Sequence, residues 1–439
     1  MALVKSLDYS SNKPLAAQSK PEILRFRSDN SEYTSGDTLR IEIPCGRQGQ
    51  HLYPLSSYIE GGISVNYTND ATASRIFLDG NVYSLFKRMT IMHGSNILED
   101  ILYPNRLWNA VYDLQKGISQ RYTNTINLLI EESDQLQYGR SFGATANGTR
   151  DTATFDFSFM LPSAILGCLA EKAIPLSLCG ASSIYLELQL ESAIACFVGA
   201  DAHVTAINKF TLSNIYYNAK VSILPYDIEK MIIEATWGII NLHAVAYKSE
   251  LKTIPVGSTS YNDKFSFQFS SIKNFLFLLQ NSTSANGTIT SLGITQRPRC
   301  SLKEFYILLN GEAFPSQPIN NLSRMLTELY RSYDLLTDTH SGGYLSHSNY
   351  NAANGADEAA QLADDVFATI ISKRFIGGID FDRFNHSSQT LMSGINTVGN
   401  TVNLNLLFDT GLKTNTSIYA FVMYDLNIKL QGGLLQAYF

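Results

Sequence analysis

Two stretches decide the fold: KRMTIMHGSNILEDILYPNRLWNAVYDL at residues 87–114 and KEFYILLNGEAFPSQPINNLSRMLTELYRSYDLL at residues 303–336. Each reads as an apolar strand, a turn carrying a glycine (Gly94, Gly311), a short extended piece, a proline, and a helix whose apolar residues step by three and four. Leu107, Val111, Leu114 and Ile118 make the first stripe; Leu322, Met325 or Leu326, Leu329, Tyr333 and Leu336 make the second. The two stretches start 216 residues apart (303 against 87). Working outward, SIYLELQLE from Ser183 matches TVNLNLLFD from Thr401, an offset of 218, and YNAKVSIL from Tyr217 matches YDLNIKL from Tyr424, an offset of 207. Three pairs in one order, each near half of the 439-residue length, imply a tandem duplication.

Elsewhere the dominant signal is period-two alternation, which puts one face of a strand in a core. Leu39, Ile41 and Ile43 alternate with Thr38, Arg40 and Glu42; Phe155, Phe157 and Phe159 with Thr154, Asp156 and Ser158; Leu186, Leu188 and Leu190 with Glu187 and Gln189. Phe265, Phe267 and Phe269 alternate in the same way, and Leu404, Leu406 and Phe408 do so less strictly. Helical spacing is confined to the two stretches above, to PYDIEKMIIEA with Pro225 at the first helical position, and to residues 358–371. These helices are expected to lie on the surface over sheet edges. The expected fold class is mainly β: two tandem jelly-roll β-sandwiches with a few short inserted helices. The expected boundaries are an N-terminal arm at 1–36, a first sandwich at 37–224, a linker helix at 225–236, a second sandwich at 237–433 and a C-terminal tail at 434–439.

Composition narrows the function. Charged residues make up 16% of the chain, below the usual quarter, so large neutral polar or aromatic faces must be buried or presented to partners. The net charge of −6 excludes a strongly basic nucleic-acid wrapper. The start, MALVKSLDYSSNKPLAAQSK, has no apolar run of the kind a secretory signal carries. Five irregularly spaced cysteines (Cys45, Cys168, Cys179, Cys196, Cys300) read as buried free thiols in a chain that folds in a reducing compartment.

Two β-rich halves, each with a strand–turn–helix insertion, resemble the double jelly-roll major capsid proteins of adenoviruses, tailless membrane-containing phages, virophages and polinton-like viruses. The residues that carry the resemblance are RMTIMHGSNILEDI and EFYILLNGEAFP, the progression FDFSFMLPSAILG to IPLSLCGASSIYLELQLE, and the closing strands FTLSNIYYNAKVSIL and IYAFVMYDLNIKLQ. The resemblance implies a virion protein without enzymatic activity or cofactor, assembling as a homotrimer whose six barrels give a nearly hexagonal outline. It implies neighbouring capsomers, penton and minor capsid proteins as partners, with an internal membrane as a further one, and no sequence-specific nucleic acid binding. A two-domain adhesin or lectin and a carbohydrate-active enzyme are the competing readings.

No nucleophile elbow, phosphate-binding loop or zinc spacing occurs. Asp380 and Asp382 share one face of an expected strand, as one half of a glycosidase pair would need, yet read more simply as the strand's polar face. His340 and His347 flank a glycine-bearing loop, and Asp357, Glu358, Asp364 and Asp365 fit a solvated helix face. The candidate interaction residues are Lys5, Lys13, Lys20, Arg25 and Arg27, which against Asp8 and Glu22 make the first 27 residues net +3 in an acidic chain. Either this arm faces the shell interior, or it is a plain solvated tail.

Overall fold

The computed structural model describes residues 19–67, 76–117, 123–130, 154–199, 207–281, 294–333, 335, 345, 350, 374–382 and 393–438. Period-two burial turns the alternating segments into strands: Thr38–Ile43 runs eBiBeB and Ile184–Leu190 runs BiBiBiB, exposed or half-exposed polar residues against buried aliphatic ones. In the first half, one sheet has the spatial order Lys20–Arg27, Ile207–Ile223, Gln50–Tyr67, Phe155–Phe159. Facing it is Thr38–Ile43, Ile184–Leu190, Phe86–His93, Asn96–Leu102. In the second half the orders are Ile239–Ile254, Thr416–Gln431, Ile272–Asn281, Gly377–Asp380 and Ser260–Phe265, Val402–Phe408, Leu302–Leu309, Glu312–Ile319.

Numbering these eight strands in chain order within each half gives 1-8-3-6 facing 2-7-4-5 in both. All the strand pairs are antiparallel. Each half is a jelly-roll sandwich, and the duplication is one of topology. The three sequence pairs fall on equivalent strands: the fourth, seventh and eighth of each half. Aromatic contacts fill the space between sheets, as where Phe277 meets Phe305 edge-on at 5.0 Å across the second sandwich.

The structure corrects several expectations. Lys20–Arg27 is no arm: it pairs with Tyr216–Ile223 in register from Lys20↔Ile223 to Arg27↔Tyr216, and Glu32–Thr34 pairs with the same strand. The first sandwich therefore begins at residue 20, because the edge of its first sheet needs a strand to complete it. The tail is a strand too, since Leu434–Tyr438 pairs with Asn427–Gln431 after the Gly432–Gly433 turn. The Phe265–Phe269 alternation survives as burial, but the ladder stops at Phe265. Beyond it Thr397 supplies the partners, its Oγ1 accepting from Phe269 N–H at 3.1 Å and its own N–H donating to Phe269 O at 2.9 Å.

Three helices exceed two turns among the described residues: α1 (Pro104–Gln115), α2 (Tyr226–Thr236) and α3 (Leu322–Arg331). Pro104 opens α1 at its first position, and the Asn321 side chain caps α3 by accepting from Arg324 N–H at 2.8 Å. Pro225 stands one position earlier than expected, as the extended cap residue before α2. The helix expected over 358–371 lies outside the described residues.

Candidate assembly surfaces

Helix α1 departs most from expectation, because almost every side chain on it is buried, including Asn105, Arg106, Asn109 and Asp113. Polar groups tolerate burial only when satisfied, and here the other half of the chain does much of the satisfying. Asp113 Oδ2 accepts from Arg297 and, at 3.4 Å, from Arg374. Arg106 Nε donates to Gln280 Oε1 at 3.0 Å, and its guanidinium lies 4.4 Å from the centre of the Tyr419 ring. Nearby, Asp79 accepts from the N–H of Thr295 at 2.9 Å and from its hydroxyl. Burial pushes the Asp79 carboxyl up and the Arg297 guanidinium down. Gly80, at φ +89°, lets the halves meet this closely: a Cβ there would stand 2.6 Å from Thr295 Cγ2 and 2.4 Å from Asn109 Oδ1.

Beside α1, the edge strand Asn96–Leu102 of the first sandwich meets the edge strand Ile239–Ile254 of the second. Ser249 Oγ donates to Leu102 O at 2.6 Å and accepts from Leu102 N–H at 3.0 Å, while Lys248 Nζ reaches Asp100 Oδ2 at 3.2 Å. The tail strand closes the joint. Leu435 N–H donates to His93 Nδ1 at 3.1 Å, and Gly433 touches Gly180, both at positive φ, so closely that a Cβ on Gly180 would lie 3.0 Å from Gly433 O. As a result Thr416–Gln431 is largely buried on both faces.

Among the described residues, the equivalent contact on the opposite sides of the molecule is unmade. In the first sandwich, the strands equivalent to Ile239–Ile254 and Thr416–Gln431 are Lys20–Arg27 and Ile207–Ile223. Their outer face presents Ile23 (71% exposed), Arg25, Arg27 and Lys220, with Tyr53, Leu55 and Tyr58 exposed on the neighbouring strand. Arg25 pairs with Glu60 and stacks 4.1 Å over the Tyr216 ring, beside a cleft of about 430 Å³ that Asp156 and Gly62 also line. In the second sandwich, the strand equivalent to Asn96–Leu102 is Glu312–Ile319, an edge strand with Glu312, Ala313, Ser316 and Gln317 exposed. Of α3, only Met325, Glu328 and Leu329 are buried.

Of the candidate interaction residues, Lys20, Arg25 and Arg27 stand on this uncovered edge strand, whereas Lys5 and Lys13 lie outside the described residues. Asp380 ends strand Gly377–Asp380 and accepts from Asp382 N–H at 2.9 Å, a local turn. His340, His347 and the acidic run 357–365 lie outside the described residues. Among those described, no group of three His, Cys, Asp or Glu side chains is placed to hold a metal ion, and no helix is long and apolar enough to cross a membrane.

The thiols are all free, but only Cys179 and Cys196 are buried; Cys168 is exposed, against expectation, because it sits in the irregular turn after Leu161. A group that spacing did not reveal is Cys45 with Cys179, brought together where the ladder Ile43↔Ile184 ends. The neighbouring Cys179 lowers the Cys45 thiol below the ordinary cysteine value. Glu99 is a second such group. It is buried, accepts from Ser163 Oγ at 2.6 Å, and is pushed by desolvation up to about 7.

These sheets and this joint define the fold as a double jelly roll. Among solved structures, the chain is similar to VP54 of PBCV-1 fitted into the virophage Sputnik, with a TM-score of 0.60 and 11% identity over 98% of this chain and 99% of that one. It is similar to a chain of the Sputnik virophage itself, at 0.59 and 11% over 100% and 92%. The mavirus major capsid protein matches at 0.53 and 9% over 100% and 95%. No family model and no curated protein matches the sequence.

Proposed function

We propose that this chain is the major capsid protein of an icosahedral virus and that it builds a homotrimeric capsomer. One observation carries the reading: a doubled fold makes one of two equivalent contacts internally and, among the described residues, leaves both halves of the other uncovered. Strand Glu312–Ile319 with α3 of one chain would meet strand Lys20–Arg27 and its outer face on the next. Such a contact is heterologous, so it either closes into a ring or runs on as a filament. Six barrels around an axis need about 60° per contact, and three chains supply them. The resemblance to capsid structures along nearly the whole chain supports the closed form. On this reading Lys20, Arg25 and Arg27 serve the contact between chains, and the role is structural, without catalysis or cofactor. Neighbouring capsomers, penton and minor capsid proteins and an internal membrane are the further partners, and the chain works in the virion after folding in a reducing compartment.

Light scattering on the purified full chain tests this. A particle of three times 48.7 kDa supports the capsomer, and a strict monomer at micromolar concentration overturns it. The Arg25–Glu60–Tyr216 cleft favours the lectin reading as the second choice, since charged and aromatic side chains there suit a saccharide. Glycan-array binding by a monomer would select it.

A further inference from the structure

Two thiols meet beneath the tail strand. The ladder between Thr38–Ile43 and Ile184–Leu190 ends at Ile43↔Ile184, and past it the two stretches of chain stay together. Leu176 O accepts from Gly46 N–H at 2.9 Å and from Cys179 N–H at 3.3 Å, so one carbonyl holds both backbones. Gly46, at φ +82°, lies so close to Gly180 that a Cβ on it would stand 2.7 Å from Gly180 O. The residues beside these two glycines are Cys45 and Cys179, and their thiols are within hydrogen-bonding reach of each other. Cys179 is buried and Cys45 half-buried, so a reagent reaches the pair through Cys45.

The pair is tied to the joint between the sandwiches. Leu435 N–H donates to His93 Nδ1, which leaves the ring proton on Nε2, and Nε2 donates to the carbonyls of Cys179 and Ser182 at 3.0 Å each. Gly180, next to Cys179, is the residue that touches Gly433 of the tail turn. The stretch 179–182 is therefore the seat on which Leu434–Tyr438 rests.

We propose that Cys45 and Cys179 form a reversible disulfide that fixes this seat, with a small disulfide such as oxidised glutathione as the oxidant. A bridge without backbone movement needs chains that already run side by side, and here they do. The Cys45 thiolate attacks one sulfur of the oxidant and expels a glutathione thiolate. Cys179, losing its proton to solvent, then attacks Cys45 Sγ and expels the second. Two electrons pass from the protein sulfurs to the small disulfide, and the two released thiolates take up the two protons. Cys45 is the attacking thiol, because its partner lowers it while Cys179 is raised. The inference concerns the joint within one chain and does not depend on the capsid reading.

The test is to incubate the folded full chain with oxidised glutathione, block the remaining thiols, digest without reductant and map the peptides by mass spectrometry. A peptide pair joined through Cys45 and Cys179 of one chain is expected, released by dithiothreitol. Oxidation should raise the urea midpoint and slow hydrogen exchange of the Leu435 amide by roughly tenfold or more, both reversed by dithiothreitol. Cys45→Ser should abolish the link and both effects, whereas Cys168→Ser should leave them intact. The mapping of the unsubstituted chain stands without either variant, should one fail to fold. Cys45 found only as a glutathione adduct, joined to another cysteine or to a second chain, or joined to Cys179 only in urea, overturns the proposal. So does a Cys45–Cys179 link that leaves the midpoint and Leu435 exchange unchanged, since it would not fix the seat.

Discussion

Replacing Asp113 by alanine removes the carboxylate on which the two sandwiches are hinged. Its side chain is 3% exposed, between Arg297 at 1% and Arg374 at 5%. Two guanidiniums would remain in a site closed to water, each repelling the other, with Asp79 as the carboxylate still near both. Breaking a buried ion pair costs about 3–5 kcal/mol, and because Arg374 keeps its bond to Thr295 O and Asp79 stays near both cations the expected loss lies within that range. Asp113→Asn keeps an acceptor but no charge and should cost about 2–3 kcal/mol, as a charged hydrogen bond does. Arg25→Ala, which breaks an exposed pair with Glu60, should cost less than about 1 kcal/mol. Urea unfolding followed by circular dichroism and by Trp108 emission gives all three values. We expect the alanine variant also to split a shared transition in two, because the joint that couples the halves is weakened. A loss below about 1 kcal/mol with one unchanged transition would refute the account of the joint.

Glu99 has a raised native value of about 7 against an ordinary 4.5, so the folded state holds this proton while the unfolded chain releases it. Its contribution is complete below about pH 4.5 and is lost as pH rises through 7, up to about 3 kcal/mol. Glu99→Gln, which still accepts from Ser163, should flatten that decline in urea midpoints between pH 5 and 8; an unchanged slope would assign it to other groups. Cys45, with its thiol lowered by Cys179, should alkylate with iodoacetamide at pH 7 ahead of Cys168 and Cys196, whose thiols burial pushes up. Peptide mapping that finds Cys168 or Cys196 modified first would contradict this. Ile23→Glu, on the uncovered strand, should leave the monomer's stability within about 0.5 kcal/mol. It should weaken association by about 2 kcal/mol, roughly 30-fold in Kd by sedimentation. Unimpaired association would remove that strand from the interface.

The doubled plan was legible because equivalent strands keep one inward face, so Leu186/Leu188 and Leu404/Leu406 repeat the same aliphatic alternation. Where a strand lacks a covered outer face, that legibility failed. In KPEILRFR the inward Leu24 and Phe26 alternate with Ile23, Arg25 and Arg27, and the exposed Ile23 blurs the period. Helix α1 was recognised from its leucines but misplaced on the surface. Asn105, Arg106 and Asp113 read as solvent-facing, and nothing local announces that Gln280, Arg297 and Arg374 wait across the joint. The pairing of Cys45 with Cys179 and the burial of Glu99 depend in the same way on residues distant in sequence. The uncovered surfaces themselves could not be read at all, since they exist only by comparison with the contact the chain makes internally.

The account rests on that comparison, and electron cryomicroscopy of the purified oligomer tests it most directly. It predicts a three-chain ring of six barrels in which strand Glu312–Ile319 of each chain lies against strand Lys20–Arg27 of the next, as Asn96–Leu102 lies against Ile239–Ile254 within the chain. A two-fold dimer, or a ring that leaves Lys20–Arg27 open to solvent, would contradict it.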